Sequence, residues 1–253
     1  MKVFFHSDFY SEYTSDPAAE AGRMEAILRI IETEVTMMDI ELAGEEDIAA
    51  VHSPDHIRRI KESGLYGIAA LAAGGAIQAA LTGLSEPAFG LIRPPGHHAS
   101  AGSAWGFCFF NNMAIAIDKL KREGRIETAY VLDIDMHHGD GTENILGQSS
   151  WVTIHNVATR NRQAYIAEVQ RAMDSCGADI IGISAGFDNH QKDWGGVLTT
   201  EDYTTIGRLV RKAADRKGGG CFGILEGGYN HDVLGQNVLA LIQGLSNQTE
   251  SVI

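Results

Sequence analysis

The chain has 253 residues and a formal net charge of −13, with 44% apolar and 21% charged residues. That length suits one large α/β domain with a buried core, and the acidic balance argues against nucleic acid or an anionic membrane as a partner. Its cysteines, Cys108, Cys176 and Cys221, are widely spaced, which argues against a disulfide framework and for a reducing compartment. The first residues reach His6 and Asp8 with no apolar leader, so a cytoplasmic protein is expected.

In chain order, a strand is predicted near Lys2–His6, then helices near Ala18–Thr36, Pro54–Glu62 and Leu65–Leu84. A strand near Phe89–Ile92 and a helix near Met113–Glu123 follow. Strands near Thr128–Asp133 and Val152–His155 precede a helix near Arg160–Ser175. The rest reads as a strand at Ile180–Ser184, a helix at Thr200–Lys217, a strand at Cys221–Leu225 and a helix at Val233–Leu245. The uncharged stretch Leu65–Leu84 is long enough to span a bilayer. It is mostly Ala and Gly, with Gln78 inside, so a buried packing helix is expected instead of a span. The strand runs are near-continuous in apolar residues, as strands covered on both faces should be. Alternation of strand and helix implies a single domain over 1–253, a mostly parallel sheet flanked by helices, with a frayed tail after Gly244.

Four of these strands run into unusual chemistry. Phe89–Ile92 leads to Arg93-Pro94-Pro95-Gly96-His97-His98, and Thr128–Asp133 to Ile134-Asp135-Met136-His137-His138-Gly139-Asp140. Ile180–Ser184 leads to Ala185-Gly186-Phe187-Asp188, and Cys221–Leu225 to Glu226-Gly227-Gly228-Tyr229. Open parallel sheets bind ligands beyond the carboxyl ends of their strands, so these loops are expected to share one cleft.

Asp135 and His137 are two apart on extended chain and point to one side, where a carboxylate and an imidazole can grip a divalent ion. Asp188, at another strand end, is the best third ligand. Two Asp and one His leave coordination open, as a catalytic site requires. Asp133 would face inward more deeply and needs a partner, and Asp140 is placed to orient a histidine. Of His97 and His98, one can act as general base while the other supplies charge, each backed by a carboxylate. Tyr229 could donate to the oxyanion formed when water attacks a carbonyl. Phe107 is read as the wall of an apolar channel, and Phe109 and Phe110 as core.

Taken in order, RPPGHHA (93–99), GFCFFNN (106–112), DIDMHHGDGT (133–142), SAGFD (184–188) and EGGYN (226–230) resemble the arginase/deacetylase superfamily. Within it they resemble the histone deacetylase and acetylpolyamine amidohydrolase branch, in its short class II-like prokaryotic form. The resemblance implies a sheet of about eight parallel strands. It implies zinc on Asp135, His137 and Asp188, with iron(II) or cobalt(II) as substitutes. His98 would be the general base with Asp140 behind it, His97 its electrostatic partner with Asp133 behind it, and Tyr229 would polarise the amide carbonyl. Phe107, with Gly106 and Gly227, would line the substrate tunnel. Asp133, with the backbone of Asp135 and His137 and the Thr153-Ile154 segment, would hold a structural potassium ion. The implied activity is removal of an acyl group, most simply acetyl, from an amine such as acetyl-lysine or an acetylated polyamine, by water activated on the metal.

The departures matter as much. The arginase branch carries further aspartates for a second metal. Here Gly139 follows His138 and His190 follows Asp188-Asn189, which favours one metal. The loop after His155 is short and offers no second tunnel aromatic to partner Phe107. Ser63-Gly64-Leu65 stands where polyamine-cutting members carry a long insertion, so a more open cleft is expected. A non-catalytic acyl-amine binding protein and a two-metal ureohydrolase-like enzyme stay open as alternatives, as does the oligomeric state.

Overall fold

A computed structural model describes residues 1–246, which leaves most of the tail expected to fray outside the described residues. Its strands are β1 (Lys2–Phe4), β2 (Thr36–Met38), β3 (Ala88–Gly90), β4 (Ala129–Asp133), β5 (Val152–Asn156), β6 (Ile180–Ala185) and β7 (Gly220–Leu225). They form one seven-stranded sheet in the order β2-β1-β3-β7-β6-β4-β5, with every pairing parallel. Strands β3, β7, β6 and β4 are buried along their whole length, whereas the edge strands β2 and β5 are only partly covered. Burial of both faces explains why the central strands read as unbroken apolar runs.

The helices are α1 (Arg23–Ile31), α2 (Glu45–Ala49), α3 (Pro54–Glu62), α4 (Tyr66–Gly83), α5 (Asn112–Arg122), α6 (Asp140–Leu146), α7 (Arg162–Ser175), α8 (Thr200–Lys217) and α9 (His231–Leu245). Several are capped by side chains their sequence supplies. Ser53 begins α3, Asn111 begins α5, Asn161 begins α7 and Asn230 begins α9, each accepting from a backbone N–H of the first turn. Helix α4 reaches a mean hydropathy of 1.2, yet 67% of it is buried and it packs on α5, β3 and β7. Its apolar composition therefore serves the core.

Two expectations need correction. The helix expected over Ala18–Thr36 is a short 3-10 turn at Pro17–Ala19, then α1, then β2. Gly22 precedes α1 with φ of 83°, a left-handed conformation that no continuous helix can pass through. The sheet has seven strands where the resemblance implied about eight, and β2 is the one that residue pattern alone misses. Only three residues long and at the edge, it carries too little periodicity to register.

The strand order matters for function. The loops after β3, β7, β6 and β4 leave four neighbouring central strands, although β3 and β4 are consecutive in sequence and separated in space by β7 and β6. The chain changes direction across the sheet there, which opens a crevice at the strand ends.

Candidate active site

Asp135, His137 and Asp188 come together beyond β4 and β6, with one ligand atom from each lying within 4.8 Å of the others. The His137 Nδ1 lies 3.0 Å from Asp135 Oδ1 and 3.1 Å from Asp188 Oδ2. Main chain holds the carboxylates in place. Asp135 Oδ1 accepts from His137 N at 3.0 Å and its Oδ2 from Gly227 N at 2.9 Å, while Asp188 Oδ1 accepts from Met136 N at 3.0 Å. The buried Asp188 Oδ2 meets no backbone N–H and faces only the His137 ring, so it is aimed into the cluster. Two carboxylates and an imidazole around such an atom fit a divalent cation of the zinc type. Among the described residues this is the one cluster of its kind.

Charge in the cluster is unbalanced without a cation. Hydrogen bonds that Asp135 and Asp188 accept from its ring hold the His137 imidazole up at about 10. Burial, then the neighbouring Asp135, pushes Asp188 up to about 7. Gly227 leaves room for the cluster: a Cβ there would lie 2.6 Å from Asp135 Oδ2 and 2.7 Å from Asp188 Oδ2.

Each histidine of the β3 loop has the carboxylate expected for it. His97 Nδ1 lies 3.0 Å from Asp133 Oδ2, and His98 Nδ1 lies 2.7 Å from Asp140 Oδ1. The two differ in charge. Burial would lower His97, but Asp133 and Asp135 outweigh it and hold the ring well above the usual histidine range. Burial, with His97 beside it, lowers His98 to about 4 against the pull of Asp140. The surroundings thus favour the cation at His97 and the free base at His98.

Tyr229 stands across the pocket on its glycine turn. Burial and the facing carboxylates push its hydroxyl far above the usual phenol range, so it stays a proton donor. Phe107 lies edge-on to the Tyr229 ring with centroids 6.1 Å apart. Both Gly106 (φ 57°) and Phe107 (φ 67°) are left-handed, and the second is strained for a residue with a side chain. Phe110 is core, as expected, while Phe109 packs against it from partial exposure. A cavity of about 130 Å³ between Phe107, Trp105, Trp194 and Tyr229 reaches His98 and His137. Its neighbour, about 490 Å³, opens on the other side of Trp105 and His137 along Asn156–Arg160, where the connection from β5 to α7 is short.

The residues expected to hold potassium are not all brought together. Parallel register sets Asn156 opposite Asp133, with Thr153 and Ile154 back at Tyr130 and Val131. Thr153 lines a different cavity with Thr128 and Tyr130. Both Asp133 oxygens are also engaged, Oδ1 by Asp135 N at 3.0 Å and Oδ2 by His97. Thr153 and Ile154 therefore stand apart from Asp133, and Asn156 is the β5 residue beside it.

Several contributors were not foreseen. Arg23 is fully buried and donates to Gly228 O at 2.8 Å and Glu226 O at 2.7 Å, fastening the tyrosine loop from beneath. A cation in the first turn of a helix opposes the macrodipole, and that was the available signal. Glu226 accepts from Gly96 N at 2.7 Å and His97 N at 3.2 Å, tying the histidine loop to the tyrosine loop. Asp193 Oδ2 accepts from Tyr229 N and Asn230 N, both at 2.8 Å. Trp194 stacks on the Tyr229 ring at 4.1 Å, and Trp105 on His98 at 3.8 Å. The two tryptophans and Tyr229 are the aromatic neighbours that Phe107 lacked in the sequence.

Comparison with known proteins gives the family and the fold. The family profile described as histone deacetylase domain matches residues 18–166 and 152–245. A probable deacetylase of Methanothermobacter thermautotrophicus is 30% identical over 97% of this chain and 91% of its own. A histone deacetylase-like amidohydrolase of Pseudomonas aeruginosa is 29% identical, covering 83% of this chain and 70% of its own. An acetylpolyamine amidohydrolase of Mycoplana ramosa is 29% identical over 64% of this chain and 57% of its own. The crystal structure of the HDA15 HD domain matches 99% of this chain and 90% of that chain with a TM-score of 0.86 at 24% identity, which establishes a shared fold.

Proposed function

The chain belongs to the histone deacetylase domain family, and on that premise we propose that it is a metal-dependent amidohydrolase that removes an acyl group, acetyl in the simplest case, from an amine. One observation carries the reading: a largely buried Asp-His-Asp cluster shares its pocket with two histidines, each paired to a carboxylate, and a tyrosine. Asp135, His137 and Asp188 would hold the ion. Zinc suits that donor set, and iron(II) or cobalt(II) can replace it. When bound, such an ion polarises a carbonyl and lowers the pKa of water.

The chain's own groups do the rest. Neutral His98 takes the proton of the attacking water, with Asp140 fixing its tautomer through Nδ1. Tyr229 donates to the carbonyl oxygen as negative charge builds on it. Charged His97 stabilises that developing charge, and its proton is shared with Asp133. The leaving amine takes its proton from the histidine pair. Phe107 and Tyr229 exclude water from the small cavity, where such electrostatics count for more.

Similarity to an acetylpolyamine amidohydrolase supports acylated amines as the substrate class. The test is direct. Chelation is expected to abolish turnover of a fluorogenic acetyl-lysine amide, and one equivalent of zinc, cobalt or iron(II) to restore it. Turnover indifferent to chelation would sink the proposal, and two tightly bound transition ions per chain would favour a ureohydrolase-like site.

A further inference from the structure

We infer that Trp105 is a positioning residue for the general-base pair His98–Asp140, an inference that rests on the hydrolytic reading above. Asp140 divides its two oxygens between two donors. Its Oδ1 faces His98 Nδ1 at 2.7 Å, and its Oδ2 accepts the indole N–H of Trp105 at 2.9 Å. The same indole lies over the His98 ring, with centroids 3.8 Å apart and planes 31° apart. Trp105 thus holds both members of the pair at once, one by a directional bond and the other by its face.

The pair needs that support. The Asp140 side chain is 38% exposed, whereas the His97–Asp133 pair behind it is buried. An exposed carboxylate can rotate about its last bond and exchange its partner for water. A donor on the second oxygen removes that freedom, because turning the carboxylate then breaks two bonds instead of one. Gly106, next in sequence, contributes from the other direction: a Cβ there would overlap the His98 ring, so one dipeptide shapes the ring's surroundings.

The location of Trp105 argues the same way. Its ring is 55% exposed, which wastes apolar surface that a core position would bury. It is the wall shared by the small cavity over His98 and the large cleft beside Asn156–Arg160. With β5 ending at Asn156 and α7 starting at Arg162, little chain stands there to shield His98. Trp105 covers that opening.

Two variants separate its bond from its face. On metal-loaded protein, Trp105→Phe keeps the stacked ring and removes the N–H, and kcat should fall about fivefold. Trp105→Ala removes both, and kcat should fall about thirtyfold, with KM shifted less than about twofold in each case. In an Asp140→Ala background, Trp105→Phe should cost nothing further, since its bond has lost its acceptor. A raised KM with unchanged kcat would make Trp105 a wall of the substrate cavity only, and full additivity with Asp140→Ala would also overturn the inference. Nitrogen-15 spectra of histidine-labelled protein read the pair without any turnover. The His98 Nδ1–H should exchange slowly in the wild type and rapidly in Trp105→Phe. If it does so in a protein that hydrolyses no acyl amine, the hydrolytic reading fails while the positioning role stands; equal exchange in both proteins overturns the positioning role.

Discussion

The floor and the rim of this pocket are built by different means. On the floor, Asp135, Asp188, Asp133 and His97 are buried, and their polar atoms are met almost entirely by backbone N–H groups and by one another. At the rim, Trp105 and Trp194 are 55% and 53% exposed, and they hold His98, Asp140 and Tyr229 through ring faces and single side-chain bonds. Strand ends set the floor and therefore the chemistry. Loops set the rim, where substrate selection belongs. A wrong residue on the floor should be catastrophic, and one at the rim should be graded.

The largest effect is therefore expected from Asp188→Ala. It should abolish stoichiometric metal binding in elemental analysis and lower kcat/KM on the order of a thousandfold or more. Retention of one ion per chain would show that the floor does not depend on this carboxylate. Tyr229→Phe should keep metal and lower kcat by roughly a hundredfold, the usual value of one oxyanion donor. An unchanged kcat would remove the phenol from the reaction. Asp193→Ala, which frees the Tyr229 and Asn230 amides, is a rim change; it should cost about tenfold in kcat while leaving metal content intact. A thousandfold loss there would erase the distinction between floor and rim.

The smallest effect concerns stability, and it asks how far the floor extends into the core. His52 sits behind the histidine loop, with Nε2 accepting from Asn111 N at 2.9 Å and Nδ1–H donating to Ser100 O at 3.0 Å. Burial, then His56, lowers it to about 4. Between its ordinary value of 6.5 and about 4, the unfolded chain takes a proton that the folded chain refuses. Its contribution to stability is thus present above about pH 6.5 and falls as pH drops, by about 2 kcal/mol at pH 5. Denaturant unfolding at pH 7 and pH 5 should show that loss in the wild type and a smaller one in His52→Gln. Equal losses would mean that His52 titrates normally.

The candidate catalytic set was largely legible because its members follow the ends of apolar runs. Asp135, His137, Asp188, His97, His98, Asp133, Asp140 and Tyr229 are drawn together, and parallel topology alone predicts that strand-end loops meet. Thr153 and Ile154 went astray because a site between two strands depends on register, and β5, half-covered at the edge, carries no pattern that fixes it. The contacts of Arg23, Asp193, Glu226, Trp105 and Trp194 were missed for another reason. Arg23 meets Gly228 across 205 positions, and Trp105 meets Asp140 across 35. No local spacing encodes such contacts.

The sequence by itself determined the α/β class, the polar loops and the donor set of the candidate metal site, since periodicity and strand-end chemistry are local properties of a chain. Tertiary structure decided the strand order that makes four loops neighbours, the residue that lies opposite Asp133, and the two indoles that stand over His98 and Tyr229. Those outcomes come from packing between distant segments, where shape and register choose among partners that composition leaves equal.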